Sequence, residues 1–224
     1  REGDVVKIKR AGDVIPQIIS VDKNKRKKGS QKISLPKRLP CCKNDLIKIE
    51  GEAILRCTAG LDCPAQKTGS LIHFVSRNAL NIDGLGERII DLLVEHGLVV
   101  NFADLFRLRK ENIINLEGFG EKSATNLINS IQSSKETTLS RFIYSLGIRE
   151  VGEATAMNLA LNFNNISNFI DASDEDLLEI NDIGPVASRF IREFLSNEEN
   201  TNLVKDLLSL GVNPREIEIK NDNP

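Results

Sequence analysis

The sequence predicts an α+β fold that is mostly α, and three observations predict it. One short glycine pattern is written four times between residues 81 and 185, and residues with helical periodicity follow each copy. Two runs of β-forming residues open the chain. Four cysteines crowd between positions 41 and 63, with none elsewhere. The expected order is a short β segment, a small cysteine module, and a long domain of paired helices.

The β segment comes first. Asp4-Val5-Val6-Lys7-Ile8-Lys9 and residues 14–21 flank Ala11-Gly12-Asp13, which reads as an antiparallel pair. Two strands alone are marginal in water, so partner strands are expected upstream of Arg1, and the chain reads as a piece of something longer. Charge is uneven. Residues 1–50 hold 14 Lys/Arg and 6 Asp/Glu, while the remaining 174 hold 16 and 26. A nucleic-acid binder that worked by bulk charge would not place its acidity on the larger part. The basic run Lys23–Lys28 reads either as a phosphate contact or as a solvated loop. No apolar run approaches the roughly 18 residues of a membrane span, and no leader opens the chain, so a cytoplasmic protein is expected.

Cys41, Cys42, Cys57 and Cys63 do not resemble a secreted disulfide framework. Four thiolates could close a tetrahedral zinc site, which supplies about 10–16 kcal/mol of folding energy in zinc-finger peptides. The spacing expected there opens C-x₂-C, but this chain reads Leu39-Pro40-Cys41-Cys42, with leucine at the first place. Adjacent side chains of an extended segment point apart. Cys41 is therefore a doubtful ligand beside Cys42, Cys57 and Cys63, and reduced packing cysteines are the alternative.

The repeat follows. Its copies are Asp83-Gly84-Leu85-Gly86, Glu117-Gly118-Phe119-Gly120, Arg149-Glu150-Val151-Gly152 and Asn181-Asp182-Ile183-Gly184, with last glycines 34, 32 and 32 residues apart. Ala124, Leu127, Ile128 and Ile131 follow Gly120, and Ala156, Leu159, Ala160 and Phe163 follow Gly152 at the same offsets. The fourth copy reads as slipped by one, to Ala187, Phe190, Ile191 and Phe194. Helices are also expected before the glycines, at Glu111–Leu116 and Asp174–Ile180, the second with a capping box of Ser173 and Asp176. Two helices joined at such a turn form a helix-hairpin-helix. The first amides of its second helix lack intrahelical partners and lie at the positive end of the dipole. A phosphate can approach them closely across glycine. An ordinary helical bundle with glycine turns is the alternative, and four copies at one period weigh against it. Glu150 and Asp182 replace the first glycine and weaken their turns if the carboxylates face the anion. His73 and His96 read as surface or packing residues, and Tyr144 as packing on Phe142 and Leu146.

The order of parts resembles the C-terminal half of the bacterial NAD-dependent DNA ligase family. The matching stretches are Arg10-Ala11-Gly12-Asp13-Val14-Ile15-Pro16, Glu50-Gly51-Glu52-Ala53 with Arg56-Cys57-Thr58, and His73-Phe74-Val75-Ser76-Arg77. The longest is Leu146-Gly147-Ile148-Arg149-Glu150-Val151-Gly152-Glu153-Ala154-Thr155. The resemblance implies the end of an OB-fold at 1–36, a zinc-ribbon-like module at 37–67, and four helix-hairpin-helix motifs at 68–212. A linker would follow at 213–224. It implies nick sealing in replication and repair, with a nicked duplex as partner. Arg10 would meet a phosphate, Val14 and Ile15 the minor groove, and Gly86, Gly120, Gly152 and Gly184 phosphates through their amides. Cys42, Cys57 and Cys63 would be zinc ligands, and Leu39 falls where the fourth should stand. The family's nucleophilic Lys-x-Asp-Gly is absent, the nearest string being Lys43-Asn44-Asp45-Leu46. NAD and magnesium would therefore act only through an upstream adenylation half, and this chain alone would be inactive. A stand-alone DNA-binding scaffold is the competing reading, and a degenerate relic a third.

Overall fold

Strands β1 (Val5–Ala11) and β2 (Ile15–Asp22) form the antiparallel pair that their composition predicts, with Val5 opposite Asp22 and Arg10 opposite Pro16. The register shifts between Lys7 and Ile8, which face Ser20 and Ile18, so Ile19 is the extra residue of a bulge. The computed structural model describes residues 1–12, 15–48, 54–59 and 63–216, and the chain divides into two units, Arg1–Ala59 and Gly60–Pro224.

In the first unit a 3-10 turn over Lys23–Lys25 follows β2, capped by the Asp22 carboxylate. The basic run is therefore only partly a solvated loop. Arg26 donates two hydrogen bonds to Asp4, at 2.7 and 2.8 Å, and closes the loop onto the start of β1. Short strands β3 (Leu46–Lys48) and β4 (Leu55–Cys57) pair antiparallel beyond it. Ile8, Ile15, Ile18 and Ile19 are all exposed on the first pair.

The second unit is helical, as predicted. Its helices are α1 (Pro64–Val75), α2 (Glu87–Glu95), α3 (Phe102–Arg107), α4 (Lys110–Ile113), α5 (Glu121–Ser133) and α6 (Leu139–Ser145). They continue with α7 (Glu153–Phe163), α8 (Ile166–Ile170), α9 (Asp174–Leu178), α10 (Pro185–Ser196) and α11 (Glu198–Ser209). The pairs α1/α2, α4/α5, α6/α7 and α9/α10 each enclose one glycine turn. One continuous apolar core runs through them, with Phe74, Phe142 and Phe169 fully buried. Phe74 of α1 stacks on Phe102 of α3 at 4.3 Å between ring centroids and meets Phe106 edge-on.

The fourth copy does not slip. Residues four and seven after the last glycine are buried in every copy: Ile90 and Leu93, Ala124 and Leu127, Ala156 and Leu159, Ser188 and Ile191. Ser188 holds the first of these places in the fourth copy. Its hydroxyl broke the hydrophobic pattern while its small volume still fits the core. Asn213–Arg215, which polar composition assigned to a linker, instead form β6, parallel to β5 (Glu136–Thr138). Glu136 draws them in by accepting from Arg215 Nε at 2.8 Å and Asn213 Nδ2 at 3.1 Å.

Candidate nucleic-acid interface and metal centre

The four turns are built alike. In each, the amide of the apolar third residue after a buried aliphatic closes onto that residue's carbonyl. The pairs are Leu85 to Ile82, Phe119 to Leu116, Val151 to Ile148 and Ile183 to Ile180, at 3.0 to 3.2 Å. The residue before the closing amide has positive φ each time: Gly84 at +87°, Gly118 at +83°, Glu150 at +62° and Asp182 at +66°. A type II turn requires that conformation. Glu150 and Asp182 thus keep the turn geometry at a conformational cost of about 1 kcal/mol each. The Glu150 carboxylate lies 3.8 Å from Arg149 Nε, which partly offsets its charge.

The last glycine of each turn is the N-cap of the second helix. Gly86, Gly120, Gly152 and Gly184 have extended backbones, with φ of −76°, −147°, −84° and −86°. Any residue can adopt these angles, and a Cβ at any of the four meets nothing within 4 Å. Neither conformation nor packing inside the chain therefore demands glycine. Elsewhere in the same unit five helices have side-chain caps, while α1 and α4, which start after Cys63 and Arg109, do not. Asn101, Thr138, Asn165, Ser173 and Asn197 accept hydrogen bonds from the first amides of α3, α6, α8, α9 and α11. The expected box of Ser173 and Asp176 is one of these. The four hairpin helices have no such side-chain acceptor, which leaves open space in front of amides at a positive helix end. At the second turn the Gly120 amide itself donates to Ser123 Oγ at 2.9 Å, so the amides after it are the ones on offer.

The four sites differ in their surroundings. Two residues past the last glycine stand Arg88, Lys122, Ala154 and Val186. The first two hairpins thus add a cation at the helix start. The fourth has Pro185 at its first helical position, which removes one amide donor, and exposes Val186. Sequence reasoning passed over Arg88 and Lys122, although laying the four copies over one another shows them. It also passed over Arg149, whose guanidinium lies 4.3 Å from the Phe190 ring centroid of α10. That contact joins residues of two different copies, and no local pattern announces it.

Arg10 and Ile15 are exposed near the turn of the β1–β2 pair, while Val14 lies outside the described residues. His73 and His96 bond to backbone carbonyls, Tyr144 O and Leu92 O, both at 2.8 Å. The Tyr144 ring meets His73 edge-on at 4.7 Å. Tyr144 also packs against the core that includes Phe142 and Leu146.

Cys41, Cys42, Cys57 and Cys63 form no disulfide. In the first unit, Cys42 Sγ lies 3.6 Å from Cys57 Sγ, and the Cys41 and Cys42 Sγ atoms lie within 4.8 Å of each other. The expectation that adjacent cysteines point apart fails here because the segment is not extended. Lys43 N–H bonds to Leu39 O at 2.9 Å, Leu39 N–H bonds to Asn44 O at 3.1 Å, and Lys43 has φ of +60°. The Ala59 amide donates toward Cys57 Sγ at 3.5 Å. Sulfurs around a tetrahedral zinc at about 2.3 Å stand about 3.8 Å apart, and Cys42 and Cys57 stand close to that spacing. In the second unit Cys63 is buried at the N-cap of α1.

Comparison with known proteins agrees with both halves of this picture. Residues 40–65 match the model of the NAD-dependent DNA ligase C4 zinc finger domain. Residues 76–133 match that of a SAM-like helix-hairpin-helix tandem, and residues 141–204 that of the helix-hairpin-helix motif. The chain is 47% identical over 218 residues to a DNA ligase of Hahella chejuensis and 45% identical over 218 residues to one of Saccharophagus degradans. A third, from Cellvibrio japonicus, is 43% identical over 217 residues. Each alignment covers 97% of this chain and 32% of the relative, so the chain spans about a third of the length of the curated relatives it matches. No helix among the described residues is long and apolar enough to cross a membrane.

Proposed function

We propose that this chain, whose relatives are DNA ligases and whose motifs are those of the NAD-dependent family, is the part of such a ligase that grips the DNA around a nick. The observation that carries the reading is the choice of cap. Five other helices of the unit are capped by Asn, Thr or Ser side chains, and the second helix of each of the four hairpins by a glycine that nothing inside the chain requires. A phosphate oxygen arriving where the Cβ would stand supplies the missing acceptor.

Each hairpin would donate amides following Gly86, Gly120, Gly152 or Gly184, with the first two strengthened by Arg88 and Lys122. The outer face of α2 carries Glu87, Asp91 and Glu95, so attraction there comes from oriented N–H groups rather than bulk charge. Arg10 on the exposed β1–β2 pair would take a further phosphate, and Val14 and Ile15 would lie along the minor groove. Phosphate contacts hold register without reading bases, which suits an enzyme that must act at a nick in any sequence.

The zinc module would be held by Cys42, Cys57 and Cys63 with a fourth thiolate. The proposed boundaries are 1–36 for the end of an OB-fold, 37–67 for this module and 68–212 for the hairpin domain. Zinc, when bound, serves as a structural crosslink. Adenylation by NAD with magnesium would belong to an upstream half that joins this one around nicked duplex DNA, in the cytoplasm and on the nucleoid. This chain alone would not seal nicks.

Binding of the chain to nicked and intact duplex across a salt series tests the reading. Gly120→Asp should weaken binding to every sequence alike, and the dependence on salt should be shallow because few cationic side chains are engaged. Unchanged binding by folded Gly120→Asp would defeat the amide mechanism. A stand-alone scaffold would instead bind fully without any upstream half and gain nothing from it.

A further inference from the structure

We propose that Cys41 supplies the thiolate that position 39 lacks, as a zinc ligand beside Cys42 and Cys57. The proposal rests on the zinc reading above and goes beyond it by naming the fourth ligand. In a C-x₂-C opening the two cysteines stand at residues 39 and 42, and residue 39 is leucine here. A site with three thiolates would leave a position open to water, as catalytic zinc sites do, whereas structural sites are closed.

The turn around residues 39–43 is what moves the ligand. Leu39 contributes its backbone, donating to Asn44 O and accepting from Lys43 N–H, and so fixes the loop without needing a metal-binding side chain. The ion pair of Arg38 and Asp45, at 2.8 Å, closes the base of the same loop. Inside a tight turn consecutive side chains diverge by about 100° rather than the 180° of a strand. Two adjacent sulfurs can therefore face one ion, and Cys41 Sγ lies within 4.8 Å of Cys42 Sγ. Cys42 in turn is 3.6 Å from Cys57. Cys41 is exposed at the rim, so an unligated thiol there would react quickly with alkylating reagents.

The test uses the full chain loaded with zinc, and with cobalt(II) as a spectroscopic substitute. In the unmutated chain, mass-mapped alkylation should find Cys41 as strongly protected as Cys42 while metal is bound, and labelled once a chelator removes it. Cys41→Ser should lower zinc affinity by at least about 100-fold, since losing a ligand costs more than losing an outer-shell contact. It should also remove about a quarter of the sulfur-to-cobalt charge-transfer absorbance. Leu39→Cys added to Cys41→Ser restores the C-x₂-C spacing and should recover both quantities. Stoichiometric zinc with rapid labelling of Cys41, or with affinity and absorbance unchanged in Cys41→Ser, would overturn the assignment of Cys41. An unmutated chain that holds no zinc would overturn the zinc reading itself, and this proposal with it.

Discussion

Gly86→Ser separates the two explanations for glycine at the helix caps. A serine at Gly86 has the φ it needs, −76°, and its Cβ meets nothing within 4 Å. Its hydroxyl can accept from the second or third amide of α2, as Thr138 and Ser173 do in α6 and α9. Glycine and serine caps differ by only a few tenths of a kcal/mol. The melting temperature should accordingly move by about 1 °C, upward if at all. Binding should move much further. The new hydroxyl occupies both the amide and the space a phosphate needs. Loss of one hydrogen bond to a charged group is worth about 1.5–3 kcal/mol, which is roughly a ten- to hundredfold rise in Kd. Fluorescence anisotropy with a labelled nicked duplex, beside a thermal melt of the same preparation, reads both quantities. Intact affinity in a Gly86→Ser chain of normal stability would refute the reasoning, because the cap would then have no ligand to lose.

Two further outcomes are expected. Phe74→Ala removes a fully buried ring that stacks on Phe102 and meets Phe106; it should cost about 3–5 kcal/mol of stability, seen as an earlier urea midpoint. The Arg26 guanidinium beside Asp4 holds that carboxyl down at about 2, from an ordinary value of 3.8. The Asp4–Arg26 pair should therefore contribute fully above about pH 4 and be lost as pH falls toward 2, because protonation removes the bidentate acceptor. NMR titration of the Asp4 carboxyl checks this, and a midpoint near 3.8 would mean that the pair does not hold in solution.

The sequence by itself determined the repeat, the helices on either side of each glycine turn, and the β1–β2 pair. These follow from local rules: helical and strand periodicity, glycine at turns, and side-chain oxygens at caps such as Ser173. It aligned the last glycines of the four turns too, because their spacing of 34, 32 and 32 residues sets them in register without a structure. Tertiary structure decided the rest. Ser188 reads as polar, and only packing shows that its place is the one Ala124 and Ala156 occupy. Glu150 and Asp182 read as broken glycines, and only the backbone angles show that they keep the turn. Pairing of β5 with β6 and stacking of Arg149 on Phe190 join residues far apart in the chain, and nothing local selects such partners. Convergence of Cys41 on Cys42 depends on a turn whose hydrogen bonds run between backbone groups. Every residue type carries those groups, so the sequence could not announce it.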